Sequence, residues 1–248
     1  MTAGPDPRVL TGLGDRIRDA RRVTILTGAG VSAASGVPTF RGPGGLWRSF
    51  RSEDLATPEA FHRNPELVWQ WYDWRRSVLA KARPNPAHDV LARLSRRIGV
   101  TLITQNVDGL HELAGSRDVV RLHGSIWQLR CLVGCGEPPA SWEDRRTPLP
   151  ELPPRCQACG GYARPAVVWF GEAIDTAVLT RSMEATACDV YLSIGTSSLV
   201  HPAAGLVRLA KSRGAYTVEI NPVATDATPY LDLALALPAE QALSALGI

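Results

Sequence analysis

Four of the five cysteines form two close pairs, a pattern that is typical of metal sites. Cys131 and Cys135 are separated by three residues, and Cys156 and Cys159 by two. Zinc binds four thiolates tetrahedrally, and each short spacing lets one turn present two sulfurs. Chance clustering is the alternative, but the surrounding proline-rich segment has little periodicity and needs a crosslink. We predict a structural zinc site, and we expect Cys188 to be a buried core residue.

A histidine and an Asn–Asp pair follow two predicted strands. His123 comes after 119–122, and Asn106 and Asp108 come after 100–104. Ligands of open parallel sheets bind at the carboxyl ends of the strands, and histidine is the usual general base near neutral pH. The alternatives are a histidine that only bonds backbone groups and an Asx-type helix cap. Polar groups that converge from separate strands on one crevice favour a catalytic His123.

A loop of small residues, Thr27–Arg41, follows a short apolar run. A turn without side chains lets a ligand phosphate approach backbone N–H groups. The spacing Gly28-x-Gly30-x-x-Ala33 fits a dinucleotide-binding fingerprint, although glycine-rich turns are common. Because no second strand follows before a helical region, hydride transfer is disfavoured. A dinucleotide that is used in another way remains compatible with the loop.

Alternating strands and helices have to position these residues. Apolar runs predict strands at 23–27, 100–104, 119–122, 166–170, 190–194, 216–220 and 231–237. Periodicity and N-cap signals predict helices at 8–22, after Thr57, from Asn64 to about Ala82, and at 87–97, 176–187, 202–212 and 239–246. This alternation is typical of an α/β fold with a parallel sheet.

The composition is that of an ordinary globular protein, with 248 residues, 45% hydrophobic and 21% charged. A formal net charge of +3 is too small for bulk nucleic-acid binding. The start, MTAGPDPRVL, lacks the regions of a signal peptide, and no run approaches the roughly 18 apolar residues of a membrane span. We therefore expect a cytoplasmic protein without membrane contact, whose cysteines are not in disulfides.

Together these motifs resemble those of sirtuins, in the same order and along nearly the whole chain. The matching segments are TGAGVSAASGVPTFR, TQNVDGLH, the strand-end HG, the paired cysteines, VVWFGE, the GTSS loop and Asn221. The resemblance implies an NAD-dependent protein lysine deacylase with a Rossmann-type domain and a small domain. The implied Rossmann-type domain comprises 1–43, 86–128 and 164–248, and the small domain comprises a helical insert, 44–85, and a zinc-binding insert, 129–163.

The resemblance also implies a mechanism and a set of site residues. In sirtuins the acyl oxygen attacks the nicotinamide ribose, nicotinamide leaves, and a base drives the imidate toward free lysine and O-acyl-ADP-ribose. His123 would be that base, with Asn106 also catalytic. A substrate peptide would pair as a strand with Val168, Trp169, Phe170 and Gly171. The implied cofactor-binding residues are Gly28, Ala29, Gly30, Ser32, Phe40, Arg41, Trp47, Gln105, Asn106, Asp108, Gly195, Thr196, Ser197 and Asn221.

The chain departs from the family pattern at a few positions. Ala34 stands where sirtuins usually have Glu, and Thr39 stands where Asp is common. The first cysteine pair is spaced by three residues and not by the commoner two. None of these changes involves His123 or Asn106. The family's adenine-capping residue has no clear counterpart in 231–237.

One further match concerns the acyl group. Tyr72-x-x-Arg75 resembles the pair found in class III sirtuins, which remove malonyl, succinyl or glutaryl groups, and Ala56 is similar to the small residue that widens their acyl pocket. The alternative is a solvated helical face that carries the arginine pair Arg75 and Arg76. Since Tyr72 and Arg75 are three positions apart on one helix face, we favour acyl recognition.

Two other functions are compatible with the same motifs. An NAD glycohydrolase or ADP-ribosyltransferase would share the cofactor site, and a non-enzymatic NAD sensor could be built on a zinc scaffold. A sensor needs no base, so the combination of His123 and Asn106 argues against it. We expect acyl-lysine proteins as substrates and a monomer in solution.

Overall fold

The computed structural model describes residues 6–40, 52–97, 99–136 and 139–248. The larger of its two sheets has six parallel strands. The sheet order is β3-β2-β1-β7-β8-β9, and every neighbouring pair is parallel. This is the strand order of the Rossmann fold, so the predicted fold class is confirmed. The strands are β1 Val23–Thr27, β2 Val100–Thr104, β3 Val120–Arg121, β4 Gly124–Cys131, β5 Ser141–Glu143, β6 Ala163–Val167, β7 Val190–Ile194, β8 Tyr216–Ile220 and β9 Leu233–Leu235.

The α-helices begin where the sequence places capping residues. Thr57 accepts a bond from the Ala60 N–H and Asn64 from the Leu67 N–H, and each is followed by a proline in the first turn. The helices within the described residues are α1 Pro7–Asp19, α2 Ser52–Leu55, α3 Pro58–Arg63, α4 Pro65–Lys81, α5 Pro86–Leu94, α6 Leu110–Leu113, α7 Thr176–Ala185, α8 Ala203–Ser212 and α9 Ala239–Ala245. Within these ranges, no helix is long and apolar enough to span a membrane.

A second sheet was not predicted. Strands β5, β4 and β6 form a three-stranded antiparallel sheet in that order. The strand predicted over 166–170 exists, but its bounds were wrong, because β6 spans Ala163–Val167 and ends three residues before Phe170. Beyond it, the Val168 N–H donates to the His123 carbonyl and the Phe170 N–H to the Ala56 carbonyl. The chain therefore leaves the sheet and contacts two other segments.

Helices α2 to α4 and the antiparallel sheet share a separate hydrophobic core. Trp69 and Phe61 are among its largest fully buried side chains, and burial of each contributes about 1.5–3 kcal/mol. The strands of the antiparallel sheet lie between Gly124 and Val167. The sheet therefore extends beyond both ends of the predicted zinc-binding insert, 129–163. The division into domains stays a prediction.

A buried arginine fastens α4 to the antiparallel sheet. Arg76 donates to the carbonyl of Ile126 at 3.0 Å and to the carbonyls of Asp144 and Arg146 at 2.6 and 2.9 Å. It also pairs with the Asp144 carboxylate at 3.3 Å, where both side chains are nearly inaccessible to solvent. Arg76 and its neighbour Arg75 are buried, which rules out the alternative of a solvated helical face.

Candidate active site

The glycine loop lies against the loop that follows β7. The Gly28 N–H donates to the Ile194 carbonyl at 3.0 Å, and the Gly30 N–H donates to the Gly195 carbonyl at 2.8 Å. A Cβ on Gly28 would lie 2.8 Å from the Gly195 oxygen, and one on Gly30 would lie 2.7 Å from the Gly195 Cα. Close packing of two loops thus requires these glycines, irrespective of any phosphate. The chain then forms a 3-10 helix, Ala29–Ser35.

Asn106, Ser32 and Asp108 form a buried polar network beneath this loop. The Asn106 amide donates to the Gly28 carbonyl at 3.1 Å and to the Ser32 hydroxyl at 3.2 Å. Ser32 in turn donates to the Asp108 carboxylate at 2.8 Å. Burial raises the pKa of Asp108, against the lowering effect of the bonds from the Leu110 N–H and Ser32. The network fixes the Asn106 side chain at the end of β2.

His123 is half-buried and lies two residues after β3, an edge strand of the parallel sheet. Its Nδ1 lies 3.1 Å from the Gln105 carbonyl oxygen. A carbonyl oxygen only accepts, so Nδ1 carries the proton and Nε2 keeps its lone pair. Burial lowers the pKa of His123, and the bond to Gln105 acts in the opposite direction. The imidazole is therefore neutral near pH 7, as a general base has to be.

One cavity of about 1120 Å³ connects most of the predicted site residues. Ser32 and Asp108 do not line it and act beneath it through Asn106. Arg41 and Trp47 lie outside the described residues. The predicted residues that line the cavity are Gly28, Ala29, Gly30, Phe40, Ala56, Tyr72, Arg75, Gln105, Asn106, His123, Val168, Trp169, Phe170, Gly171, Gly195, Thr196, Ser197 and Asn221.

The sequence analysis missed two lining segments near the C-terminus. Residues 222–226 and 238–240 line the cavity, whereas residues 231–237, which have no clear counterpart of the family's adenine-capping residue, do not. Both missed segments follow the strands β8 and β9, so the rule that ligands bind at strand ends could have found them. Ala34 and Thr39, where the chain departs from the family pattern, also line the cavity.

Arg75 lies at the other end of the cavity and has little solvent contact. Its guanidinium carbon is 4.6 Å from the centroid of the Phe40 ring and 4.9 Å from that of Trp71. Burial lowers its pKa, and the nearby Tyr72 and Asp108 raise it. Among the described residues, no carboxylate lies within ion-pair distance of this guanidinium. A buried cation of this kind is suited to an anionic ligand.

The segment after β6, residues 168–171, also lines the cavity. Its backbone donors are occupied inside the protein, because the Trp169 N–H donates to the Glu172 carboxylate and its two neighbours donate to carbonyls. Strand pairing between a peptide and this segment stays a prediction, and in this arrangement it would use carbonyl groups or Gly171. The Trp169 indole also reaches across to Tyr72, at 2.9 Å.

The four paired cysteines meet at the far end of the antiparallel sheet. Their sulfurs all lie within 4.8 Å of one another, with 3.6 Å between Cys131 and Cys159 and 3.5 Å between Cys135 and Cys156. A tetrahedron with Zn–S bonds of about 2.3 Å has edges of about 3.8 Å. The cluster therefore fits a structural zinc ion with no open coordination position. Cys188 is buried in another core, as predicted.

Comparison with known proteins agrees with this geometry. Residues 28–202 match the Sir2 family. An NAD-dependent protein deacylase of Aquifex aeolicus (strain VF5) is 51% identical over 213 residues, covering 85% of this chain and 87% of the relative. The mitochondrial NAD-dependent protein deacylase sirtuin-5 of Danio rerio is 45% identical over 244 residues, covering 88% and 80%.

A solved structure extends the comparison to three dimensions. The crystal structure of a Sir2 homologue in complex with NAD superimposes with a TM-score of 0.89 at 44% identity, covering 98% of this chain and 93% of the other. The sequence match spans well over half of the chain, and the fold agrees over almost all of it. The chain belongs to the Sir2 family.

Proposed function

We propose that this protein is an NAD-dependent protein lysine deacylase that removes acidic acyl groups, succinyl and malonyl, and also acetyl. The names of its relatives support the reaction class, and the NAD complex of a homologous structure supports the cofactor. NAD is a co-substrate that supplies the ADP-ribosyl acceptor for the acyl oxygen and releases nicotinamide. One zinc ion on the four cysteines is structural and stabilises the small domain.

We assign the cofactor end of the cavity to the loops at the strand ends. Gln105 and Asn106 hold the reacting ribose, and Ser32 and Asp108 orient Asn106 from below. The loop 195–197 and Asn221 hold the adenosine half. His123 accepts a proton from a ribose hydroxyl at Nε2, because the Gln105 carbonyl occupies Nδ1. A neutral imidazole that is fixed in this tautomer needs no rearrangement before it acts.

The observation that carries the acidic-acyl preference is the buried Arg75 in this cavity. Removing a cation from water is costly unless an anion or hydrogen bonds compensate it, and the described residues supply two aromatic faces but no carboxylate. The carboxylate of a succinyl group would supply the missing charge, and a guanidinium binds it in a two-bonded fork. Ala56, which also lines the cavity, leaves room for the longer acyl chain.

A direct test is mass spectrometry of acetyl-, malonyl- and succinyl-lysine peptides incubated with the protein and NAD. We expect deacylated peptide together with equal amounts of nicotinamide and O-acyl-ADP-ribose, and higher kcat/KM for the two acidic peptides. Nicotinamide release without loss of the acyl group would indicate a glycohydrolase. A peptide that gains ADP-ribose would indicate a transferase, and either result would contradict the proposal.

A cytoplasmic location and a monomeric state stay predictions.

A further inference from the structure

The Tyr72 hydroxyl has a partner that fixes the direction of hydrogen bonding. The indole Nε1 of Trp169 lies 2.9 Å from the tyrosine oxygen. An indole N–H only donates, so the hydroxyl accepts this bond and its own hydrogen has to point elsewhere. Burial raises the pKa of Tyr72 to about 12, so the hydroxyl keeps its hydrogen near neutral pH. Both side chains line the cavity beside Arg75.

Trp169 is held in place from two sides. Its backbone N–H donates to the Glu172 carboxylate at 2.9 Å, and the Arg164 guanidinium carbon lies 3.3 Å from the centroid of the indole ring. Arg164 donates to the same carboxylate and, at 3.0 Å, to the Val167 carbonyl. Since Trp169 is 2% and Arg164 5% exposed, the indole N–H has little freedom to turn away from Tyr72.

The tyrosine ring is constrained by two tryptophans of its own helix. It packs edge-on against Trp71, with ring centroids 4.8 Å apart, and against Trp69 at 6.3 Å. Tyr72 is 3% exposed. Two tryptophans hold the ring, the Trp169 indole occupies one lone pair of the oxygen, and no group of the described residues accepts the hydroxyl hydrogen. The hydrogen can therefore point into the cavity that Tyr72 lines.

We propose that Trp169 is a positioning residue for acyl-group selection, whose indole N–H orients the Tyr72 hydroxyl as a donor toward the carboxylate of an acidic acyl group. This inference rests on the proposed function, since it requires that Arg75 and Tyr72 bind that carboxylate. A hydroxyl that accepts one hydrogen bond donates a stronger one. An acetyl group has no carboxylate there, so the orientation of Tyr72 matters less for deacetylation.

The test is Trp169→Phe, which removes the N–H and keeps an aromatic ring for Arg164 to stack on. We expect the ratio of kcat/KM for succinyl over acetyl peptide to fall about three- to tenfold, mainly through the KM of the succinyl peptide. When Trp169→Phe is added to a Tyr72→Phe variant, the ratio should not fall further, because no hydroxyl remains to be oriented. Trp74→Phe is the control, since Trp74 lies on the same helix as Tyr72 and is 44% exposed. It should leave the ratio within about twofold.

The outcomes separate this inference from the proposed function. If Arg75→Met and Tyr72→Phe lower the ratio but Trp169→Phe does not, the inference is overturned and the acidic-acyl preference stands. Equal losses on both peptides in Trp169→Phe, or additive losses in the double variant, overturn it too, because they indicate a general packing role. A ratio that none of the three variants changes overturns the acidic-acyl preference together with the inference.

Discussion

The two ends of the cavity are built from different parts of the chain. The end that we assign to the cofactor consists of loops after parallel strands, whose contacts are largely to backbone groups, such as the bonds between Gly30 and Gly195 and between His123 and Gln105. The end that we assign to the acyl group consists of side chains buried among aromatic rings, such as Arg75 between Phe40 and Trp71. Changes at the first end should therefore affect every acyl substrate, and changes at the second should alter the choice among them.

The largest effect is expected at the cofactor end. His123→Ala removes the proposed base, so kcat for acetyl and succinyl peptides should both fall about 10²–10⁴-fold, with their ratio unchanged. Circular dichroism and zinc content should match the wild type, because His123 is only half-buried. Turnover close to the wild-type value would exclude His123 from the mechanism.

The zinc cluster is the next most sensitive point, and it belongs to the same part of the structure as the acyl end. Cys156→Ser should abolish stoichiometric zinc, because the metal needs all four thiolates, and zinc binding supplies folding free energy to the segment that carries them. We expect a loss of at least about 2 kcal/mol, and hence a decrease in Tm of about 4–8 °C. Cys188→Ser lies outside the cluster and should keep its zinc. Full zinc content in Cys156→Ser, measured by atomic emission, would show that the cysteines do not form the site.

Arg75→Met is the substitution that most directly tests the acyl end. A hydrogen bond to a charged group contributes about 1.5–3 kcal/mol, so the succinyl-to-acetyl ratio of kcat/KM should fall at least about tenfold, mostly through KM. Arg75→Lys keeps the charge without the planar fork and should have an intermediate ratio. Equal decreases for both peptides would mean that Arg75 supports the fold and does not recognise the acyl group.

The smallest expected effect is a dependence of stability on pH that arises beneath the cofactor end. His88 and His111 are buried with ring centroids 5.0 Å apart, and burial lowers the pKa of each to about 4. Unfolded histidine has a pKa of about 6.5, so the unfolded chain binds more protons between these values. The contribution of the two neutral histidines to the free energy of unfolding is complete above about pH 6.5 and is lost as the pH falls toward 4.

Thermal melts between pH 7 and 4 test this effect. The slope of Tm against pH should be smaller in His88→Gln than in the wild type. The exposed His62 provides the control, since His62→Gln should leave the slope unchanged. Identical slopes in all three proteins would show that the buried pair makes no contribution.

Much of the cofactor end is determined by the sequence itself. The motifs around Gly28, Asn106 and Gly195 each follow an apolar strand, and parallel strands bring their carboxyl ends to one edge. Their meeting therefore follows from local periodicity and strand order. The cysteine pairs are equally local, because each short spacing places two sulfurs on one turn. The sequence could not reveal that Gly28 and Gly30 are required by Gly195, since only the packed loops bring these backbones together.

Only the tertiary structure determines that Tyr72 and Arg75 line the cavity. The spacing of Tyr72 and Arg75 places both on one helix face, but spacing does not determine whether that face meets solvent or a cavity. The burial of this face involves Phe40, which lies against Arg75, and Trp169, which bonds Tyr72, and both are far from α4 in sequence. Trp169 lies 97 positions from Tyr72, so the hydrogen bond that orients the hydroxyl exists only once α4 and the segment after β6 pack together.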